Sequence, residues 1–298
     1  MAKLERKRKN RPALPDWVGN LPFSPDKKRP AIIKPDMEVS TIYGNPPHQI
    51  RVQKYISTDK LTCGDFVVPV GGYFDPPDIH PGDEFYYLLE GTATVFNPKT
   101  GAAYQVKKDE GFLIPGGVWH QVFNFGEENV KILGTIAPAI WSNKERGSEI
   151  EYLEKSKFYI PDTEKIKSWP QKEPYYSESG MVHIKPDNSL HLIHGTKYHV
   201  LISLLVNTNR MQVGKITIHD NLFSEPEVHD GDEMVYALHN KLVIKINERK
   251  TGNKSVSRRS YEIEQGGKFL IPEGVEHQYF NFNKDITVAL FSVAPGNV

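Results

Sequence analysis

The chain has 298 residues, enough for two domains of ordinary size or for one large barrel. Lys and Arg together number 37 and so do Asp and Glu, a balance that leaves no electrostatic footprint for nucleic acid, an anionic membrane or a polyanion and points to a small-molecule or protein partner. The single cysteine, Cys63, excludes an internal disulfide and a thiolate zinc site and suits a reducing compartment.

In chain order, Lys3 to Arg11 is a basic cluster that reads as a solvated tail rather than an arm for nucleic acid. No apolar h-region follows it, and no run approaches the ~18 apolar residues of a membrane span. The expected location is the cytoplasm. Residues 1–45 carry many prolines and are expected to form an extended arm lying across the other half or a second subunit. Strands are expected over Gln49–Ile56, Asp65–Tyr73, Phe85–Phe96, Ala103–Val106, Gly111–Ile114, Gln121–Phe125 and Val130–Ile136, which are rich in Val, Ile, Phe and Tyr and separated by Gly, Pro, Asn or Asp. Asn143–Lys157 is the best helix candidate; with the Pro-punctuated 161–174 it forms a connector placed at 143–180. Strands resume from Tyr198. The pattern predicts an all-β protein with one closed or nearly closed antiparallel barrel over 46–142 and another over 181–298.

An internal repeat sets this organisation. Asp78–Val95 (DIHPGDEFYYLLEGTATV) recurs as Glu227–Ile244 (EVHDGDEMVYALHNKLVI), and Gly111–Phe125 (GFLIPGGVWHQVFNF) as Gly267–Phe282 (GKFLIPEGVEHQYFNF). His80 and His229, like Glu84 and Glu233, are 149 positions apart, whereas His120 and His277 are 157 apart. The difference falls in the basic stretch Glu248–Ser260, expected to be a longer hairpin.

Residues of equal parity share a face of a strand, so Asp78 points with His80 and Glu227 with His229. Glu84 and Glu233 join them if the chain stays extended through Pro81-Gly82-Asp83 and Asp230-Gly231-Asp232. Barrel closure brings His120 and His277 across. Two imidazoles and a carboxylate inside a barrel are costly unless a cation satisfies them. Nitrogen and oxygen donors without sulfur suit Fe(II), Mn(II), Zn(II), Ni(II) or Co(II) rather than Mg or Ca, with Fe(II) the leading expectation and Mn(II) or Zn(II) next. Asp78 and Glu227 are either fourth ligands or outer acceptors that orient an imidazole or a bound water. Phe74, Tyr86 and Trp119 are candidates for an aromatic substrate pocket, with core packing as their alternative fate. Gln121 and Gln278 turn away from the site by alternation. His183, His191, His194 and His199 read as surface or strand-face residues.

The two blocks resemble the paired motifs of the cupin superfamily. Gly72, His80, Glu84, Gly91, Pro115, Gly117, His120 and Asn124 match in the first half, and His229, Glu233, Gly266, Pro272, Gly274, His277 and Asn281 in the second. The resemblance implies a bicupin, two jelly-roll barrels in one chain, over roughly 50–140 and 195–298. Asp78 and Glu227 stand where the family has its first histidine. Asp109 and Asn240 stand where it has glycines, which is expected to alter a turn without affecting the site.

The leading functional expectation is an Fe(II) dioxygenase-type enzyme on a small oxygenated or aromatic acid, with Asp78 as a proton relay. Asp78-x-His80, Glu84 and the following YLLEG are similar to the metal segment of 3-hydroxyanthranilate dioxygenases, although that family has a longer gap between its His and Glu. The runner-up is a redox-neutral Mn- or Zn-dependent aminohydrolase, lyase, decarboxylase or isomerase. Its support is that Glu227-x-His229 resembles the opening ligands of ureidoglycine aminohydrolases, while Glu233 and His277 depart from them. A non-enzymatic small-molecule-binding barrel is the third reading. A homodimer is consistent with the family.

Overall fold

The computed structural model describes residues 23–24, 27–138, 180–249 and 256–295. The connector and its helix candidate at Asn143–Lys157 lie outside these residues. Described helix is confined to short 3₁₀ turns, and no described helix is long and apolar enough to cross a membrane.

The first lobe is built from β2 (Val39–Tyr43), β3 (Ile50–Ser57), β4 (Thr62–Val68), β5 (Asp83–Glu90), β6 (Thr92–Phe96), β7 (Ala103–Lys107), β8 (Gly111–Ile114), β9 (Gln121–Phe123) and β10 (Val130–Ala137). The second repeats them as β12 (Leu190–His194), β13 (Val200–Asn207), β14 (Gln212–Ile218), β15 (Asp232–His239), β16 (Leu242–Arg249), β17 (Val256–Ile263), β18 (Lys268–Ile271), β19 (Glu276–Phe280) and β20 (Thr287–Ala294). Each lobe is a jelly-roll sandwich of a seven-stranded and a three-stranded antiparallel sheet. The strand expected over Phe85–Phe96 divides at Gly91 into β5 and β6, and the one expected over Asp65–Tyr73 ends at Val68, before Pro69. The insertion does lengthen a hairpin: β16 and β17 stay paired from Leu242↔Ile263 to Arg249↔Val256.

The lobes exchange strands. Within the arm, β1 (Ala31–Ile33) pairs with β18 of the second lobe, whereas β11 (Val182–Ile184), which precedes the second lobe in sequence, pairs with β8 of the first. Each short strand leads into a turn of the same sequence, Ile33-Lys34-Pro35-Asp36 and Ile184-Lys185-Pro186-Asp187. The repeat therefore extends further toward the N-terminus than the two motif blocks.

Within the large sheets both faces of β5 and β15 are covered, and these strands are buried almost throughout, whereas the edge strand β12 is exposed. On β5, Tyr86 and Leu88 face the first lobe's interior, while Phe85 and Tyr87 face a core shared between lobes with Met211, Met234 and Leu290. The join is also polar. Thr135 Oγ1 donates to Ser292 Oγ at 3.3 Å, and Asp83 takes Arg210 Nη1 at 2.8 Å and Thr208 Oγ1 at 3.0 Å.

Asp109 and Asn240 alter no turn. Both adopt the left-handed backbone, φ 67° and 59°, that their repeat partners Gly266 and Gly91 adopt at φ 80° and 74°. Asn and Asp tolerate this region better than other side chains, and here Asn240 Nδ2 also donates to Ile286 O at 2.7 Å.

Candidate metal centres

In each lobe the chain brings its donors together by one short antiparallel bridge. Asp78 and His120 exchange both backbone hydrogen bonds, 2.8 and 3.0 Å, and Glu227 and His277 do the same at 2.8 and 2.9 Å. Directly opposed residues put their side chains on one face, so carboxylate and imidazole meet. The Pro-Gly turns lock this register: Gly117 N donates to His80 O at 2.6 Å and Gly274 N to His229 O at 2.8 Å. Asn124 Nδ2 and Asn281 Nδ2 tie the following turns to Val68 O and Ile218 O, both at 2.9 Å. Gln121 and Gln278, turned away as expected, brace the preceding segments through Phe74 O and Ser224 O.

In the first lobe, Asp78, His80 and His120 each offer a donor atom, all within 4.8 Å of one another. Glu84 Oε2 lies 3.5 Å from His80 Nε2 and 2.9 Å from His120 Nε2, so the chain stays extended enough through Gly82 for Glu84 to join the group. The second lobe repeats the arrangement: Glu227, His229 and His277 form the compact set, and Glu233 Oε2 lies 3.5 Å from His229 and 3.1 Å from His277. His120 and His277 are fully buried, and their Nδ1 atoms face the carbonyls of Val118 and Val275 at 3.2 and 3.1 Å. A carbonyl only accepts, so Nδ1 carries a proton and Nε2 is the ring nitrogen turned into the site. The Glu84 Oε2, His120 Nε2, Glu233 Oε2 and His277 Nε2 atoms are buried and have no hydrogen-bond partner beyond their close contacts with one another. Buried polar atoms rarely stay unsatisfied, and nitrogen and carboxylate donors converging without one fit a divalent transition metal.

The two carboxylates standing in the first-histidine position differ in ionisation. Burial alone would raise Asp78, but the His80 and His120 imidazoles and the Ile79 N–H outweigh it and draw the carboxyl down to about 2. Glu227 is instead raised, by burial and by the charge of Glu233, against the opposing pull of His277, His194 and His229. Glu233 is lowered: burial would raise it, but His277 and His229 and the Tyr279 hydroxyl prevail. Tyr279 donates to Glu233 Oε1 at 2.7 Å. In the first lobe the hydroxyl beside Glu84 is that of Tyr86, which comes from β5 and not β9.

A cavity of about 370 Å³ opens over the first group, with Phe74, Tyr86, Phe66, Tyr43 and Lys54 among its walls. Trp119 is not among the lining residues: its ring is buried, with Lys99 Nζ over it at 5.5 Å. A cavity of about 410 Å³ lies over the second group.

Sequence reasoning missed His194. Its Nε2 lies 3.1 Å from Glu227 Oε1 and it lines the second cavity. His183, His191 and His199 instead bond Glu110, Ser203 Oγ and Gly195 O. The available signal was the extended repeat, since Ile42-Tyr43-Gly44 and Ile193-His194-Gly195 end matching strands.

Residues 64–136 match the family model described as a cupin domain. No curated protein matches the chain in sequence. Solved structures resemble it in fold. AerE from Microcystis aeruginosa aligns at 12% identity over 86% of this chain and 97% of its own, with a TM-score of 0.56. An oxalate decarboxylase from Lactobacillus farciminis, solved as a formate complex, aligns at 11% identity over 90% and 86%, TM-score 0.59. The oxalate decarboxylase of Bacillus subtilis, in a structure concerned with its Mn(II) centres, aligns at 14% identity over 91% and 78%, TM-score 0.59. The first lobe thus carries the matched cupin domain, the second repeats its strand order and its donors, and the chain as a whole has the two-lobed fold of a bicupin.

Proposed function

We propose that the protein is a metal-dependent enzyme acting on a small organic acid, with His80, Glu84 and His120 holding one divalent ion and His229, Glu233 and His277 another. The observation that carries the reading is the pair of unsatisfied, buried Nε2 and Oε2 atoms at the base of an open cavity in each lobe. A bound divalent ion of this type supplies Lewis acidity and open positions for substrate.

The residues divide the remaining work. Glu84 is packed beneath both imidazoles, whereas the Asp78 side chain is 26% exposed and faces the cavity. Asp78 is therefore the carboxylate available to touch a bound acid or exchange a proton with it, and the Ile79 N–H fixes one of its oxygens at 2.9 Å. Phe66, Phe74 and Tyr86 exclude water from the inner wall. In the second lobe Glu227 takes the corresponding place, with His194 against it.

Two chemistries compete. An Fe(II)-dependent oxygenation is favoured by the two-histidine, one-carboxylate set beside an aromatic cavity. A redox-neutral, Mn-dependent decarboxylation is favoured by the fold shared with oxalate decarboxylases, one of them described with Mn(II) centres. Elemental analysis of the purified protein and of His120→Ala and His277→Ala reports the ion and its occupancy in each lobe. Turnover of candidate acids with and without dioxygen then separates the chemistries. Oxygen-dependent turnover with iron supports the first, and anaerobic carbon dioxide release with manganese the second. A chain that takes up no Fe, Mn or Zn overturns both.

A further inference from the structure

The two cavities stand on equivalent strands but differ at three register-matched positions. Lys54 pairs with Gly64 between β3 and β4, and Leu204 pairs with Gly214 between β13 and β14. Gly134 lies between Gly64 and Tyr86; in the second lobe Phe291 lies between Gly214 and Val235. The first lobe thus has a lysine, a bare glycine pair and a tyrosine where the second has a leucine, a phenylalanine over one glycine and a valine.

These exchanges change what each cavity can hold. A Cβ built on Gly214 would come within 2.6 Å of the Phe291 ring, so that ring covers the strand floor in the second lobe. In the first lobe Gly64 and Gly134 both line the cavity; a Cβ on Gly64 would meet Gln53 O at 2.4 Å, but one on Gly134 would meet the Phe66 and Tyr86 rings only at ordinary contact, 3.6 and 3.9 Å, and Phe74 stands with them in the wall. Lys54 Nζ reaches the same cavity and donates to Thr41 Oγ1 at 2.5 Å. No Lys or Arg is among the described residues that line the second cavity. The volumes, about 370 and 410 Å³, do not separate the two. Shape and charge do: a cation above an apolar slot recognises an anionic head on a flat apolar body.

We propose that the first lobe alone takes the substrate, as a flat carboxylic acid of the aromatic class whose carboxylate pairs with Lys54 Nζ and whose ring lies against the Gly64–Gly134 floor. The inference rests on the small-acid reading above and names the lobe, the acid class and the residues that select it. Lys54 and Gly134 act in specificity and stand apart from the metal donors.

The test is a calorimetric titration of the full, Mn(II)-loaded chain with benzoate and with cyclohexanecarboxylate, with metal content measured on the same samples. Lys54→Met removes the cation and keeps the stem. Gly134→Ala adds a methyl group into the slot; its Cβ would meet nothing closer than 3.6 Å, so the fold accommodates it. Leu204→Met is the second-lobe control. The expected result is one benzoate per chain, weaker cyclohexanecarboxylate binding, and benzoate affinity lowered about tenfold or more in Lys54→Met. Gly134→Ala is expected to weaken benzoate severalfold, Leu204→Met to leave it unchanged, and all variants to keep their metal. Two benzoates per chain, or wild-type affinity in Lys54→Met, overturns the proposal. A chain without metal overturns the enzyme reading instead, and benzoate titration of that metal-free chain still decides the role of Lys54.

Discussion

His194 Nε2 stands 3.1 Å from Glu227 Oε1, a contact that the first lobe does not repeat. The matching strand position there is Tyr43, whose hydroxyl donates to Pro76 O at 2.7 Å and not to Asp78. Glu227 is thus held from outside by an imidazole, while its counterpart Asp78 is held from within its own segment by the Ile79 N–H. Outer partners of this kind typically tune metal affinity by about 10–100-fold.

Substituting His194→Leu in a His120→Ala background isolates the second site. Its Mn(II) affinity, followed by electron paramagnetic resonance, is expected to fall about 10–100-fold with the stoichiometry retained. The same substitution in a His277→Ala background leaves the first site unaffected. Unchanged affinity in both would remove His194 and Glu227 from the metal's surroundings.

The left-handed turn positions predict an order of stabilities. Gly91→Ala must place a Cβ 2.8 Å from Asn129 O at φ 74°, whereas Gly266→Ala at φ 80° meets nothing nearer than the Tyr236 hydroxyl at 3.8 Å. Both carry the left-handed penalty of roughly 1–2 kcal/mol, and Gly91→Ala carries the clash as well. Asn240→Gly relieves the backbone but loses the bond to Ile286 O, so it is expected within about 1 kcal/mol of wild type. Asn240→Ala loses the bond without relief and should be the less stable of the two. Urea midpoints in that order support the account, and equal midpoints for Gly91→Ala and Gly266→Ala refute it.

These turns also show what was legible in sequence. The donors were readable because each motif block repeats as a unit, and strand parity alone carried Asp78 with His80. The preserved turns were missed because a missing glycine was taken for a changed conformation, although Asp and Asn can adopt the same φ. The arm was expected to cross to the other half and β1 does so on β18, but His194 and the reciprocal crossing of β11 onto β8 were missed for another reason. Their contacts are made by residues far apart in the chain, and the shared Ile-Lys-Pro-Asp turn that marks the register is too short to stand out beside the motif blocks. Of the three aromatic candidates, Phe74 and Tyr86 line the first cavity, whereas the buried Trp119 takes the core-packing alternative.

A lysine bridge predicts the acid response. Lys28 Nζ lies 2.8 Å from Asp59, 3.2 Å from Asp232 and 3.5 Å from Glu273, and Lys60 also bonds Glu273. Burial would raise Asp59, but the Lys28 hydrogen bond and charge bring it below its ordinary value; the Lys60 hydrogen bond leads the lowering of Glu273. Carboxyls lowered in the folded state stabilise fully above their unfolded values near ~4, and that contribution is lost as pH falls through the folded values. Lys28→Met strands the fully buried Asp232 side chain without its cation and is expected to cost roughly 3 kcal/mol at pH 7. The gap from wild type should narrow below pH ~4 as the carboxyls protonate. A gap that is constant from pH 7 to 3 would show that Lys28 acts by packing alone.

Cys63 predicts the alkaline response. It is fully buried in the core shared by the lobes, and burial pushes its thiol up to about 12, with the Thr135 hydroxyl at 3.5 Å opposing in part. The folded chain holds this proton more tightly than the unfolded chain, whose thiol titrates near ~8.5. Its contribution is therefore complete below pH ~8.5 and declines as pH rises toward the folded value. The thiolate is the reactive form, so native protein at pH 8 should resist a thiol-reactive disulfide reagent, and one thiol per chain should react in urea. Cys63→Ala removes the titrating group, and its stability should fall less steeply than wild type between pH 8.5 and 10, by a slope of up to ~1.4 kcal/mol per pH unit. Rapid labelling of the native chain would mean that the interlobe core opens readily, and the two lobes would then have to be treated as separately mobile units.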